Sequence, residues 1–362
     1  MLSRRRFTAA IAGCAAATVL TGPGIAAVSG AGEGWRRFRV TTRLDLTDAP
    51  GPAQAWVPLA TFEATDWVRP ETQTWTASEG AKVERLISAG AELLHVQWGA
   101  GARFLDVASI VVTRDRTAPF AGSPPSKTTL SDGERATYLS GSTLAPVDGL
   151  VKATADRITA GASGDVAKAR ALYEWVVDNT FRSAPVPGCG DGNVLRMLQT
   201  GQMGGKCADI NPLFVALARA AGLPARDLYG VRVAPSRLGY ASLGPSTTTI
   251  TKSQHCRAEV FLDGYGWTAM DPADVRKVML EEAPGGLTMD QPKVQAARAR
   301  LFGSWEGNWI PFNTANDIAL PGSTRSPEAF LMYPQAETAA GRVDCYHPDA
   351  VRYTITSEEL AI

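Results

Sequence analysis

Gly204-Gly205-Lys206-Cys207-Ala208-Asp209 opens a run in which Ile210, Leu213, Phe214, Leu217 and Ala221 recur at helical spacing, and Gly222-Leu223-Pro224-Ala225-Arg226 closes it. The pattern predicts a buried helix that stops at Gly222. Pro212 has no N–H to give, so the helix is expected to begin at about Asp209, with the proline in its first turn. A cysteine at such a start meets unpaired backbone N–H groups and the positive end of the helix dipole. Both favour thiolate, the nucleophilic form, over thiol. The glycines before it allow backbone and substrate to approach closely. Asp209 reads as a cap or charge complement of the helix start.

A nucleophilic cysteine needs a base. Of the three histidines, His95, His255 and His347, only His255 stands in a strong local pattern. His255-Cys256-Arg257-Ala258-Glu259-Val260-Phe261-Leu262, then Asp263-Gly264-Tyr265-Gly266, then Trp267-Thr268-Ala269-Met270-Asp271-Pro272 reads as a hairpin. A two-residue loop would set Asp271 opposite Ala258, facing away from His255. A loop of three or five residues sets Asp271 opposite Arg257 and Phe261 opposite Trp267, with His255 one diagonal away on the same face. That register turns Cys256, Ala258, Val260 and Leu262 to an apolar face, which predicts a core role for Cys256. It also provides a carboxylate to hold the imidazole in one orientation. By itself, Asp271-Pro272 is also an ordinary turn start.

These motifs together resemble the transglutaminase-like superfamily: Gly-x-Cys-x-Asp before an apolar helix, Gly-Leu-Pro-Ala-Arg, His-x-x-x-Glu-Val-Phe, and Gly-Tyr-Gly-Trp leading to Asp-Pro. The likeness spans roughly residues 147–275. It implies a papain-like α+β core with a catalytic triad at Cys207, His255 and Asp271. Cys256-Arg257 departs from the Ala-Trp common after the family's histidine, a change that bears on substrate access and leaves the triad untouched. For the oxyanion, the Cys207 N–H is one expected donor. The second is either Gln202, five residues upstream as in papain-like enzymes, or Trp175, where transglutaminases use a tryptophan. Trp175 also reads as plain helix core.

Outward from this core the periodicity changes. Phe38, Val40, Thr42, Leu44 and Leu46 alternate with polar residues, and similar runs at 55–59, 83–87, 93–98 and 104–113 predict an antiparallel β-sandwich over 35–120. Bacterial members of the resembled family often carry such a domain. Residues 121–146 read as a connector and 147–285 as the catalytic core. Residues 286–362 read as a C-terminal extension packed on the core. The fold class expected is therefore α+β, a papain-like transglutaminase core preceded by an antiparallel sandwich.

The beginning of the chain reads as an address. Ser3-Arg4-Arg5-Arg6-Phe7-Thr8, an Ala-rich apolar run and small residues up to 31 resemble a twin-arginine export signal. The run is shorter than the roughly 20 residues a membrane span needs, so an integral membrane protein is not expected. Ile11-Ala12-Gly13-Cys14 also matches a lipoprotein cleavage box. Lys plus Arg number 36 against 36 Asp plus Glu, and this balance recommends no nucleic-acid partner. The spacing of Cys189, Cys207, Cys256 and Cys345 fits no zinc pattern, and neither metal nor cofactor is expected. An oxidising compartment would permit one bridge, Cys189–Cys345, leaving Cys207 free. The expected function is an exported cysteine enzyme, periplasmic or secreted, acting on a peptide or isopeptide amide through a Cys207 thioester. Hydrolysis is favoured slightly over acyl transfer, and envelope proteins or cell-wall peptides are the substrates the compartment suggests. The alternative is a non-catalytic binding or assembly module on the same core.

Overall fold

The computed structural model describes residues 34–99, 101–120, 128–325, 327–346 and 352–362, with the backbone of 19–20. The export signal expected at 1–31 lies, but for those two residues, outside the described part. The fold is α+β, with a β-rich N-terminal region ahead of a transglutaminase-like core. Alternation of buried and exposed residues along Trp35–Asp45 makes it the middle of an antiparallel sheet ordered Val68–Ala77, Phe104–Arg114, Trp35–Asp45, Tyr353–Leu360. The facing sheet runs Gly341–Val343, Gln335–Thr338, Ala53–Pro58, Ala91–Trp98, Lys82–Ser88.

Both sheets thus take strands from the far end of the chain, which corrects the expectation that 286–362 packs on the core as one extension. Tyr353, Ile355 and Ser357 are buried between exposed Thr354, Thr356 and Glu358, so this segment is an amphipathic strand. It covers what would otherwise be the open edge of Trp35–Asp45. Of the described residues of 286–362, only the Trp309–Asn313 strand joins the core sheet. The expected connector is also more ordered than its composition implies. Asp132–Leu139 is a helix with a capping box between Ser131 and Glu134, and Tyr138 meets Trp267 edge-on.

The core sheet is antiparallel and ordered Gly266–Met270, Gln254–Leu262, Ala225–Arg232, Trp309–Asn313. Phe261 pairs with Trp267 and Ala258 with Met270, so the hairpin turns through three residues, one of the two loop lengths that bring Asp271 to the His255 face. The apolar helix spans Cys207–Ala220 and packs on this sheet, with every residue but Arg219 buried. It starts two residues earlier than Pro212 suggested. The proline lies inside the helix, and its missing N–H leaves the Ala208 carbonyl without its helical donor. Gly222 follows at φ +85°, a left-handed stop that suits glycine. At the seam with the sandwich, Trp67 stacks on Trp309 and meets Trp305 edge-on. Among the described residues no helix is long and apolar enough to cross a membrane.

Candidate active site

The start of the Cys207–Ala220 helix is tied to the loop before it by one carboxylate. Asp209 accepts hydrogen bonds from the N–H groups of Lys206 at 2.9 Å, Asp191 at 3.0 Å and Gly192 at 3.1 Å. This is the capping role its position suggested, extended to a second segment. Burial, against those hydrogen bonds, lifts its pKa to about 6. A Cβ on Gly190 would sit 2.0 Å from Asp209 Oδ2, so the close approach requires glycine there. The Ala208 N–H donates to the Cys189 carbonyl at 2.8 Å. The Cys207 N–H has no partner among the described residues.

The structure brings the three expected residues together. His255 Nε2 lies 2.8 Å from Asp271 Oδ2, which leaves Nδ1 uncommitted, and the imidazole and the Cys207 sulfur both line one cleft. The other oxygen of Asp271 accepts from Asn211 Nδ2 and from the Asp274 N–H, each at 3.1 Å. Asn211 stands one turn beyond Cys207, so the cysteine's own helix also holds the carboxylate. Trp309 Nε1 donates to the His255 carbonyl at 2.9 Å and fixes the strand from its other side.

A second layer of charge surrounds the pair. Asp274 Oδ1 lies 3.4 Å from His255 Nε2 and is ion-paired with Arg232. Arg257 Nε stands 3.5 Å from Asp271 Oδ2, and its guanidinium lies over the rings of Trp305 and Trp309. Burial lowers Arg257 to about 10. Burial would raise Asp274, but Arg232, His255 and Arg257 hold it well below the carboxylate range. Asp271 is raised, first by burial and then by Asp274. Burial and Arg232 push His255 down, yet Asp274 and Asp271 outweigh them and its pKa rises. Burial likewise opposes the Cys207 thiolate, while the neighbouring Cys189 and Cys256 thiols and the His255 imidazole pull that thiol well below its ordinary value. A raised imidazole beside a lowered thiol is the condition for a thiolate–imidazolium pair. His255, Asp271 and Asp274 are close enough together to chelate a cation, but two guanidiniums already neutralise those carboxylates.

A cleft of about 360 Å³ opens over Cys207 and His255. Gln202 does not reach it: the residue is exposed, because the loop after Thr200 turns it outward, and it lies outside the cleft lining. Trp175 is half-buried in the Asp165–Asn179 helix and does not line the cleft either. Tyr333, which the sequence reading did not single out, does line it. Its hydroxyl, near the Cys189 sulfur, is buried without a partner in hydrogen-bond geometry among the described residues. The expected Cys189–Cys345 bridge is absent. All four described cysteines are free, and the Cys189 thiol donates to the Gln254 carbonyl at 3.3 Å. Cys256 is fully buried, as the hairpin register requires. Asp274 and Asn211 also went unread, although each stands at helical spacing from a residue that was read: Asp274 three after Asp271, Asn211 four after Cys207.

A cysteine at a helix start, a histidine on a strand and an aspartate that follows the next strand and caps the helix after it stand together here. The chain belongs to the transglutaminase-like superfamily, whose sequence profile matches residues 152–272. An uncharacterized protein of Haemophilus influenzae is 36% identical over 286 residues, covering 75% of this chain and 77% of that one. A crystal structure from Cytophaga hutchinsonii, described as a candidate cysteine protease, superposes with a TM-score of 0.50 at 15% identity, over 90% of this chain and 99% of its own. The periplasmic domain of TgpA from Pseudomonas aeruginosa aligns at a TM-score of 0.34 and 16% identity, over 66% of this chain and 87% of its own.

Proposed function

We propose that the protein is an exported cysteine enzyme that opens a peptide or isopeptide amide through a thioester on Cys207, with hydrolysis favoured over transfer to a second amine. The observation that carries the reading is the buried 2.8 Å contact of His255 with Asp271, which leaves the other imidazole nitrogen available to the Cys207 thiol in the same cleft. The thiolate attacks the carbonyl carbon. The oxyanion that forms is held by the unpaired Cys207 N–H and by the Tyr333 hydroxyl, which takes the part first expected of Gln202. The imidazolium gives its proton to the departing amine nitrogen, the C–N bond breaks, and the thioester remains. Water, deprotonated by the same imidazole, attacks the thioester and releases the acid and the thiolate. Asp271 stays ionised and holds the ring in place. The twin-arginine pattern at Arg4-Arg5 supports export to the periplasm or beyond.

The test is intact-mass labelling of the mature protein with iodoacetamide at about pH 6, where an ordinary thiol is almost wholly protonated. Fast single labelling, lost in Cys207→Ala and His255→Ala, is expected. A peptide screen with and without added amine then separates hydrolysis from transfer. Slow labelling indifferent to His255 would overturn the enzyme reading and favour a binding or assembly module.

A further inference from the structure

The wall of the cleft carries more positive charge than the chemistry uses. Arg182, Lys206 and Lys277 line it, and among the described residues no Asp or Glu does. Arg182 and Lys277 share a single carboxylate, that of Glu281, which stands outside the lining. Lys206, next to the nucleophile, has no ion-pair partner among the described residues. The reacting centre does not need these cations. Around the thiolate–imidazolium pair, Cys207, Asp271 and Asp274 are matched by His255, Arg232 and Arg257, so the buried set is already neutral. Nor do they reflect a generally basic molecule, since the whole chain carries equal numbers of acidic and basic side chains. Burial, with Arg182 and Arg232 beside it, holds the Lys277 ammonium below its usual pKa, which an anion in the cleft would relieve.

Building on the cysteine-enzyme reading, we propose that the cleft selects an acyl-donor peptide bearing a carboxylate close to the scissile amide, bound against Lys206 and the Arg182–Lys277 pair. The carboxylate is either an acidic side chain or a free C-terminus, and one experiment separates the two.

The mature protein is alkylated in parallel with iodoacetate and iodoacetamide at about pH 6, with Cys207 modification followed by peptide mapping. The ratio of the two rates is compared with that of N-acetylcysteinamide. Surplus cations lining the same cleft are expected to favour the anionic reagent by about tenfold. The preference should fall in Lys206→Met and in Lys277→Met, and in about 0.5 M salt. In a second arm, peptides protect Cys207 from iodoacetamide. N-acetyl-Ala-Glu-Ala-amide represents the side chain, N-acetyl-Ala-Ala with a free carboxylate the terminus, and N-acetyl-Ala-Gln-Ala-amide the neutral control. One of the acidic peptides should protect at least tenfold better than the control, and which one does so identifies the source. Fast labelling by iodoacetamide, with a free-thiol ratio and equal protection by all three, overturns the anion site and leaves the cysteine chemistry standing. If neither reagent labels Cys207, both readings fall together.

Discussion

Replacing Asp274 by Asn removes one negative charge 3.4 Å from the His255 Nε2 and adds almost no volume change. At that distance, with an effective dielectric constant of about 20, a carboxylate and an imidazolium attract by about 5 kcal/mol. Arg232, released from its partner, would then repel the imidazolium as well. Asp271 and the remaining hydrogen bonds moderate the loss. Even about 1.4 kcal/mol, under a third of the Coulomb figure, shifts the balance between thiolate–imidazolium and neutral thiol–imidazole tenfold. The readout is the pH dependence of Cys207 alkylation by iodoacetamide. Wild type should hold its rate into mildly acidic solution. Asp274→Asn should lose about tenfold at pH 6 and recover as pH rises toward the ordinary thiol range near 8.5. Because the variant also strands a buried guanidinium, it should unfold more easily, by about 3–5 kcal/mol. The double variant Asp274→Asn with Arg232→Met restores the charge balance and should regain part of both losses. A folded single variant whose alkylation profile superimposes on wild type would refute the electrostatic argument.

Asp227 is buried with Oδ1 unpartnered, and burial lifts its pKa from 3.8 to about 7. The folded chain therefore keeps a proton that the unfolded chain has released, and stability falls as pH rises from about 4 to 7. Asp227→Asn should be more stable than wild type at pH 8, by roughly 4 kcal/mol at most, with the gain vanishing below pH 4 in thermal unfolding. Tyr333→Phe should slow turnover of a cleavable peptide by about a hundredfold while leaving alkylation of Cys207 nearly unchanged, since alkylation builds no oxyanion. Equal loss in both assays would mean that Tyr333 shapes the thiolate instead. Truncation before Tyr353 should lower the unfolding temperature of the sandwich, because Tyr353 and Ile355 are each at most 2% exposed. If the segment were only a lid, the truncated chain would melt like wild type and label faster.

What could be read from residues alone divides along a physical line. The hairpin carrying His255 was legible to its register, because side chains alternate with a period of two and the loop length then decides which face Asp271 occupies. The helix behind Cys207 was legible from its apolar spacing, and the capping by Asp209 from its place at the third position. Each of these is a relation between near neighbours. The Asp274–Arg232 pair joins residues 42 apart, and nothing in their local spacing distinguishes two buried charges from two surface ones. Gln202 fits a distance along the chain, yet Tyr333 reaches the cleft from more than a hundred residues away, and only packing decides between them. Tyr353–Leu360 shows the alternation of a strand, but alternation names no partner, so the sheet it joins stayed hidden until Trp35–Asp45 was seen with an open edge. The division has a consequence for the chemistry. On the proposed reading, the local signals specify a nucleophile, a base and its orienting carboxylate, which is the part common to hydrolysis and transfer. The cleft wall is assembled from Arg182, Lys206, Lys277 and Tyr333 on separate stretches of chain. If the chain opens an amide as proposed, substrate choice resides in the long-range contacts, and substitutions in that wall should change which amide is opened before they change whether Cys207 reacts.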